Sequence, residues 1–122
     1  MKKKLIKISI LILFISLIIT ISHLAIILGF ELMPFEGTSM CPDYGKSGYG
    51  LHKAVTSADD LEIGNVYLFE YSGADYNYVE HRLIEITNDY YIFKGDNNYW
   101  TESVSFDKIK YENIIHIVFE GC

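Results

Sequence analysis

Residues 77–94 read Asn77-Tyr78-Val79-Glu80-His81-Arg82-Leu83-Ile84-Glu85-Ile86-Thr87-Asn88-Asp89-Tyr90-Tyr91-Ile92-Phe93-Lys94. Two runs rich in aromatic and β-branched residues, 77–87 and 90–94, flank a pair of turn formers, the pattern of a β-hairpin. If Asn88-Asp89 is a two-residue turn, facing residues sum to 177, so Thr87 faces Tyr90, Glu85 faces Ile92 and His81 faces Asp96. Facing Cβ atoms on such a ladder lie ~4.5–5.5 Å apart, within reach of a His–Asp hydrogen bond. A three-residue loop would put Asn97 opposite His81 instead.

Outward from this hairpin the same signal recurs. Residues 65–71 (Asn-Val-Tyr-Leu-Phe-Glu-Tyr) and 113–119 (Asn-Ile-Ile-His-Ile-Val-Phe) read as strands, and 51–56 as a short one. Ser72-Gly73-Ala74-Asp75 reads as a turn, 56–60 as polar and turn-like, and 43–50 as a glycine-rich loop without the spacing of a phosphate-binding motif. There is no internal repeat. Strands joined by tight turns, with no helical crossovers, predict a mostly β domain, a small antiparallel sheet or barrel.

The N-terminus is different in kind. From Ile8 to Phe30 no residue is charged, apart from any charge on His23. These residues would make about 35 Å of helix at ~1.5 Å per residue, enough to cross a hydrocarbon core of ~30 Å. The run is longer than the apolar core of a cleaved signal peptide, and no Ala-x-Ala pattern closes it, so a retained anchor is expected. Lys2, Lys3, Lys4 and Lys7 all precede the run, which predicts a cytoplasmic N-terminus. The expected division is a basic tail (1–7), a transmembrane anchor (8–30) and one domain on the outer face of the cell membrane (31–122).

That domain holds six basic and all sixteen acidic residues, a net charge of −10. Nothing offsets phosphate repulsion, which argues against nucleic-acid binding. Cys41 and Cys122 form no Cys-x-x-Cys pair, so no metal site is expected. Whether they bridge each other is left open by the sequence.

Three short segments carry reactive groups. Ser39 lies in Gly37-Thr38-Ser39-Met40-Cys41-Pro42, between a glycine that permits unusual backbone angles and a proline that restricts one. A serine hydroxyl needs an adjacent base, and imidazole, titrating near pH ~6.5, suits that task at neutral pH. Of the four histidines, His81 stands in Val79-Glu80-His81-Arg82, whereas His23 is in the anchor and His52 and His116 have no acidic cluster at a telling spacing. Lys94-Gly95-Asp96-Asn97-Asn98 is a turn-forming string that would present Asp96 to the imidazole.

In this order, behind an anchor, the segments resemble type I signal peptidases, the membrane-bound serine peptidases that remove signal peptides. The matching residues are Ser39-Met40-Cys41-Pro42, Gly64-Asn65-Val66, His81-Arg82 and Gly95-Asp96-Asn97, and they span almost the whole chain. The resemblance is to the archaeal and endoplasmic-reticulum type, which has His where the common bacterial form has Lys. It implies Ser39 as nucleophile, His81 as general base and Asp96 as the first-ranked acidic residue. That type usually has a second Asp after Gly-Asp-Asn; here Glu102 is the nearest match, with Asp107 further on. Asn65 replaces the usual Asp.

The resemblance further implies Ser/His catalysis through an acyl-enzyme without a cofactor. The Ser39 backbone N–H would stabilise the oxyanion, with the Thr38 hydroxyl as a second candidate. Substrates would be preproteins with small residues before the cleavage site. Met33, Phe35 and Met40, which flank the serine, are expected to dip toward the lipid bilayer. The alternatives are a non-catalytic, membrane-anchored binding domain that keeps this fold, and an unrelated single-pass protein with a β-rich outer domain.

Overall fold

A computed structural model describes residues 1–72 and 78–122 of the protein. Residues 73–75 of the expected turn and residue 77 of the expected strand lie outside the described residues. The chain divides into two units, Met1–Phe30 and Glu31–Cys122.

The first unit is helix α1, Lys2–Ile27, apolar on every side and without a buried residue. Its 26 residues span about 39 Å at ~1.5 Å per residue, long enough to cross a membrane. The polar side chains in its C-terminal half bond back onto the helix. Thr20 Oγ1 donates to Ser16 O, Ser22 Oγ to Ile18 O and His23 Nδ1 to Ile19 O, each at 2.9 Å. Hydrocarbon offers no partners, so this local satisfaction makes those residues tolerable in an apolar span. The helix stops at Ile27, short of the Phe30 expected from composition, because Gly29 turns the chain with φ +82° and Phe30 already belongs to a strand.

The second unit is one open antiparallel sheet. Its strands are β1 (Phe30–Glu36), β2 (Ser47–Ala54), β3 (Val66–Glu70), β4 (Tyr78–Ile86), β5 (Tyr91–Lys94), β6 (Glu102–Val104) and β7 (Ile109–Glu120). Their order is β1-β2-β7-β3-β4-β5-β6. β1 and β6 are the two ends of this order, and the sheet does not close into a barrel. Short 3₁₀ turns at Ala58–Asp60 and Phe106–Lys108 connect strands.

Two strands escape the sequence pattern. β1 contains Pro34 and two glutamates, a composition tolerated at an edge, where one side of the strand needs no partner. β6 has only three residues, too few for a periodicity. β2 begins inside the stretch read as a loop. Gly48 lets β2 pass close to β7 and Phe35, since a Cβ there would collide with Ile117 O and crowd the Phe35 ring.

The register explains the two cores. Tyr67 pairs with His81, Leu83 with Phe93, and Phe93 with Glu102. Side chains alternate across a strand, so these residues share one face. There Leu61, Tyr67, Phe69, Leu83, Phe93, Val104 and Ile109 are buried together. Each large side chain at full burial contributes about 1.5–3 kcal/mol. Val66, on the other face, packs with Met40, Tyr44 and Phe35 under the 37–46 segment. Cys41 and Cys122 form a disulfide with Cα atoms 6.1 Å apart, tying this segment to the residues after β7.

Candidate functional site

The site is assembled by the hairpin β4–β5 and the turn that follows it. Near the turn the register is the expected one: Ile86 faces Tyr91, Glu85 faces Ile92, and Thr87 N–H donates to Tyr90 O. A bulge at Ile84 then shifts the pairing by one, so Leu83 faces Phe93 and Arg82 faces Lys94. The same step continued puts Gly95, not Asp96, beside His81. This is why the expected His81–Asp96 pair does not form: a one-residue slip moves a side chain to the opposite face.

Asp96 instead bonds Arg82 bidentately, Nε to Oδ1 at 2.8 Å and Nη2 to Oδ2 at 2.7 Å. Arg82 also reaches Asp43 Oδ2 and Gly64 O, each at 2.7 Å. Its hydrogen bonds to Asp96 hold the guanidinium's pKa above its ordinary value, against the opposing effect of partial burial. One side chain thereby joins β4, the 37–46 segment, the entry to β3 and the 95–98 turn.

His81 takes its partner from β6. Its Nδ1 lies 3.0 Å from Glu102 Oε2, and both residues are 5% exposed. With Nδ1–H donating to the carboxylate, the lone pair of the neutral ring sits on Nε2. That nitrogen points at Gly95. A Cβ built on Gly95 would lie 2.9 Å from His81 Nε2 and 2.7 Å from Ser39 O, so the free ring nitrogen and the Ser39 backbone converge on the same point.

The serine segment is docked there by Asn97, whose backbone N–H donates to Ser39 O at 2.8 Å and whose Nδ2 donates to Thr38 O at 3.2 Å. Gly37, at φ +131°, turns the chain into the segment from β1. The Ser39 N–H makes no backbone hydrogen bond among the described residues. Among those residues no hydrogen bond joins the Ser39 hydroxyl to His81 either.

The structure therefore pairs His81 with Glu102, sets the Ser39 carbonyl oxygen and His81 Nε2 on either side of Gly95 without joining the Ser39 hydroxyl to the ring, and assigns Asp96 to holding Arg82. Asp107 lies apart on the second 3₁₀ turn, bonded by the Ser105 hydroxyl, which keeps its carboxyl below the usual range. Met40 is buried and Phe35 packs beside it and edge-on to Tyr44, while Met33 is half-buried. Met40 is folded into the core beneath the 37–46 segment, so it is not available for the lipid contact expected of it.

A second cluster escaped sequence reasoning. His52, 1% exposed, sets Nε2 at 2.6 Å from Glu80 Oε2 and Nδ1 at 2.9 Å from Gly50 O. Asn113 Nδ2 donates to the other Glu80 oxygen at 2.7 Å. These residues come from three strands, and no local spacing announces them. His116 stacks on Tyr44 with ring centroids 3.8 Å apart. Burial pushes the Tyr44 phenol's pKa well up. Among the described residues no group of His, Cys, Asp and Glu could hold a metal ion.

Comparison with protein-family models, with curated proteins and with solved structures finds no match.

Proposed function

We propose that the protein is a membrane-bound serine endopeptidase that removes N-terminal signal peptides from exported preproteins. The reading rests on the ordered motifs that resemble type I signal peptidases. The observation that carries it is the convergence of the Ser39 backbone and His81 Nε2 at Gly95, with Glu102 behind the imidazole. The N-terminus is cytoplasmic and the catalytic domain lies on the outer face, following the lysine bias.

In this mechanism Ser39 Oγ attacks the scissile carbonyl while His81 Nε2 takes its proton. Glu102, from which the ring cannot turn away without stranding a buried carboxylate, stabilises the imidazolium. The Ser39 N–H donates to the oxyanion, with the Thr38 hydroxyl placed next to it in sequence; one such donor contributes ~2.7–4 kcal/mol. His81 then protonates the leaving amine, and water hydrolyses the acyl-enzyme with His81 again as base. Nucleophile and base commonly close to hydrogen-bond distance only when substrate is bound. The substrate adds as an extended strand with small residues before the cut.

The test is cleavage of a preprotein with an Ala-x-Ala site in liposomes by wild type, Ser39→Ala and His81→Ala. Site-specific cleavage lost in both variants supports the proposal; equal background in all three overturns it. The missing Ser39–His81 hydrogen bond favours one second reading, a non-catalytic anchored binding domain. His81-dependent labelling of Ser39 by a serine-reactive probe would exclude that reading.

A further inference from the structure

We propose that the Cys41–Cys122 bridge is a redox latch: a protein dithiol opens it and loosens the turn that carries Ser39, and its re-formation locks that turn again. Ser39 lies in a turn closed by the Cys41 N–H, which donates to Thr38 O at 3.2 Å. One side of the turn is held by hydrogen bonds, those of Asn97 to Thr38 O and Ser39 O. The other side is held covalently, because the residue that closes the turn is itself half of the cystine. At the far end of the bridge Cys122 is exposed, and a Cβ on Gly121 would meet nothing within 4 Å. Beside the bridge, this strand end meets the segment through Lys46 N–H to Glu120 O at 2.7 Å and an exposed Lys46–Glu120 ion pair at 3.8 Å. Exposed ion pairs contribute little, and chain ends fray unless tied down.

The rest of the fold does not lean on the bridge. Among the described residues, the larger core draws none from the 37–46 segment and none beyond Ile109. Burial of Met40 and Tyr44 against Val66 keeps the segment on the sheet, so opening the bridge shifts the turn without detaching it. Exposed disulfides are the ones open to exchange. A thiolate of a Cys-x-x-Cys protein attacks the exposed Cys122 Sγ, the S–S bond breaks, and Cys41 leaves as a thiolate that takes up a proton. The second thiol of that protein loses its proton and attacks the mixed disulfide; Cys122 is released and protonated, and the attacking protein becomes the disulfide. Two electrons and two protons thus pass to this chain. Cys41 and Cys122 are its only cysteines, so reoxidation restores the same pair. The effect on cleavage rests on the peptidase reading; the loosening of the turn does not.

The test uses the full chain in liposomes, poised at set ratios of reduced to oxidised dithiothreitol as the dithiol probe. The bridge is followed by alkylation and mass, the turn by hydrogen exchange of residues 37–46, and activity by kcat and KM on a preprotein with an Ala-x-Ala site. Reduction should occur in the folded protein and speed exchange in 37–46 and 120–122 while β3, β4 and β5 stay protected. A ~1 Å misplacement costs ~10²-fold, so a smaller shift of Ser39 should lower kcat about tenfold with KM little changed. Reoxidation should restore both readouts, and the Cys41→Ser, Cys122→Ser double variant should show the loosened turn at every ratio. A bridge that opens only when the whole sheet unfolds overturns the latch. So does a bridge that opens while exchange in 37–46 stays at the oxidised rate, or a change that reoxidation fails to reverse. If exchange follows the bridge reversibly but the oxidised protein cleaves nothing, the latch stands and the peptidase reading falls.

Discussion

Gly95→Ala tests the geometry of the site at its tightest point. The added Cβ would lie 2.7 Å from Ser39 O, 2.7 Å from Asn98 Nδ2 and 2.9 Å from His81 Nε2, where ordinary contact begins at 3.4 Å. Ser39 O belongs to backbone held by Asn97, and the His81 ring is held by Glu102, so neither swings aside freely. Overpacking of this kind costs about 1–3 kcal/mol. The loss of unfolded-chain freedom on replacing glycine offsets about 0.4–1 kcal/mol of that. A net loss of about 1–2 kcal/mol would lower the melting temperature by roughly 5–15 °C for a domain of this size.

The catalytic effect should be larger. A displacement of ~1 Å in a reacting group costs ~10²-fold, so a shift of about half that predicts a fall of about tenfold or more in kcat/KM. The assays are thermal unfolding in detergent and preprotein cleavage in liposomes. Gly121→Ala, whose Cβ would meet nothing within 4 Å, is the control. A Gly95→Ala protein that melts and cleaves like wild type would refute the close approach of Ser39 and His81.

Other substitutions separate the acidic residues and the two clusters. Glu102→Gln should lower kcat by ~10²–10⁴-fold with little change in KM, as expected when a base loses its charged partner. Asp96→Asn should act on stability, by about 1.5–3 kcal/mol through Arg82, and leave most of kcat; the reverse ranking in kinetics and urea unfolding would sink the assignment. Opening the Cys41–Cys122 bridge by a Cys41→Ser, Cys122→Ser double change frees a loop with a sequence separation of 81. The chain-entropy cost is about 4–5 kcal/mol, readable as a shift in urea midpoint, and a shift below ~1 kcal/mol would count against that constraint. Glu80→Ala strands the buried His52 ring and Asn113 together and should destabilise by about 3–5 kcal/mol while sparing the Ser39 segment; unchanged unfolding would contradict the burial of that pair.

Local chemistry made much of this protein legible in its sequence. An uncharged run with lysines before it specifies an apolar helix because transfer to hydrocarbon depends on composition alone. The strands at 66–70, 78–86 and 91–94 follow from aromatic and β-branched alternation, which is also local. Ser39 and His81 stand out as reactive groups flanked by turn formers and charge.

What sequence could not determine was everything that depends on register between distant segments. The bulge at Ile84 inserts one residue between two correctly paired stretches, and no rule of turn chemistry announces it. That one residue sends Asp96 to Arg82 and leaves His81 to Glu102, which arrives from an edge strand too short to carry a pattern. The burial of Met40, the pairing of His52 with Glu80, and the Cys41–Cys122 bridge likewise join residues far apart in the chain. Periodicity says which residues can share a face; only the folded sheet decides which of them meet, because contact is set by the sum of all pairings between them.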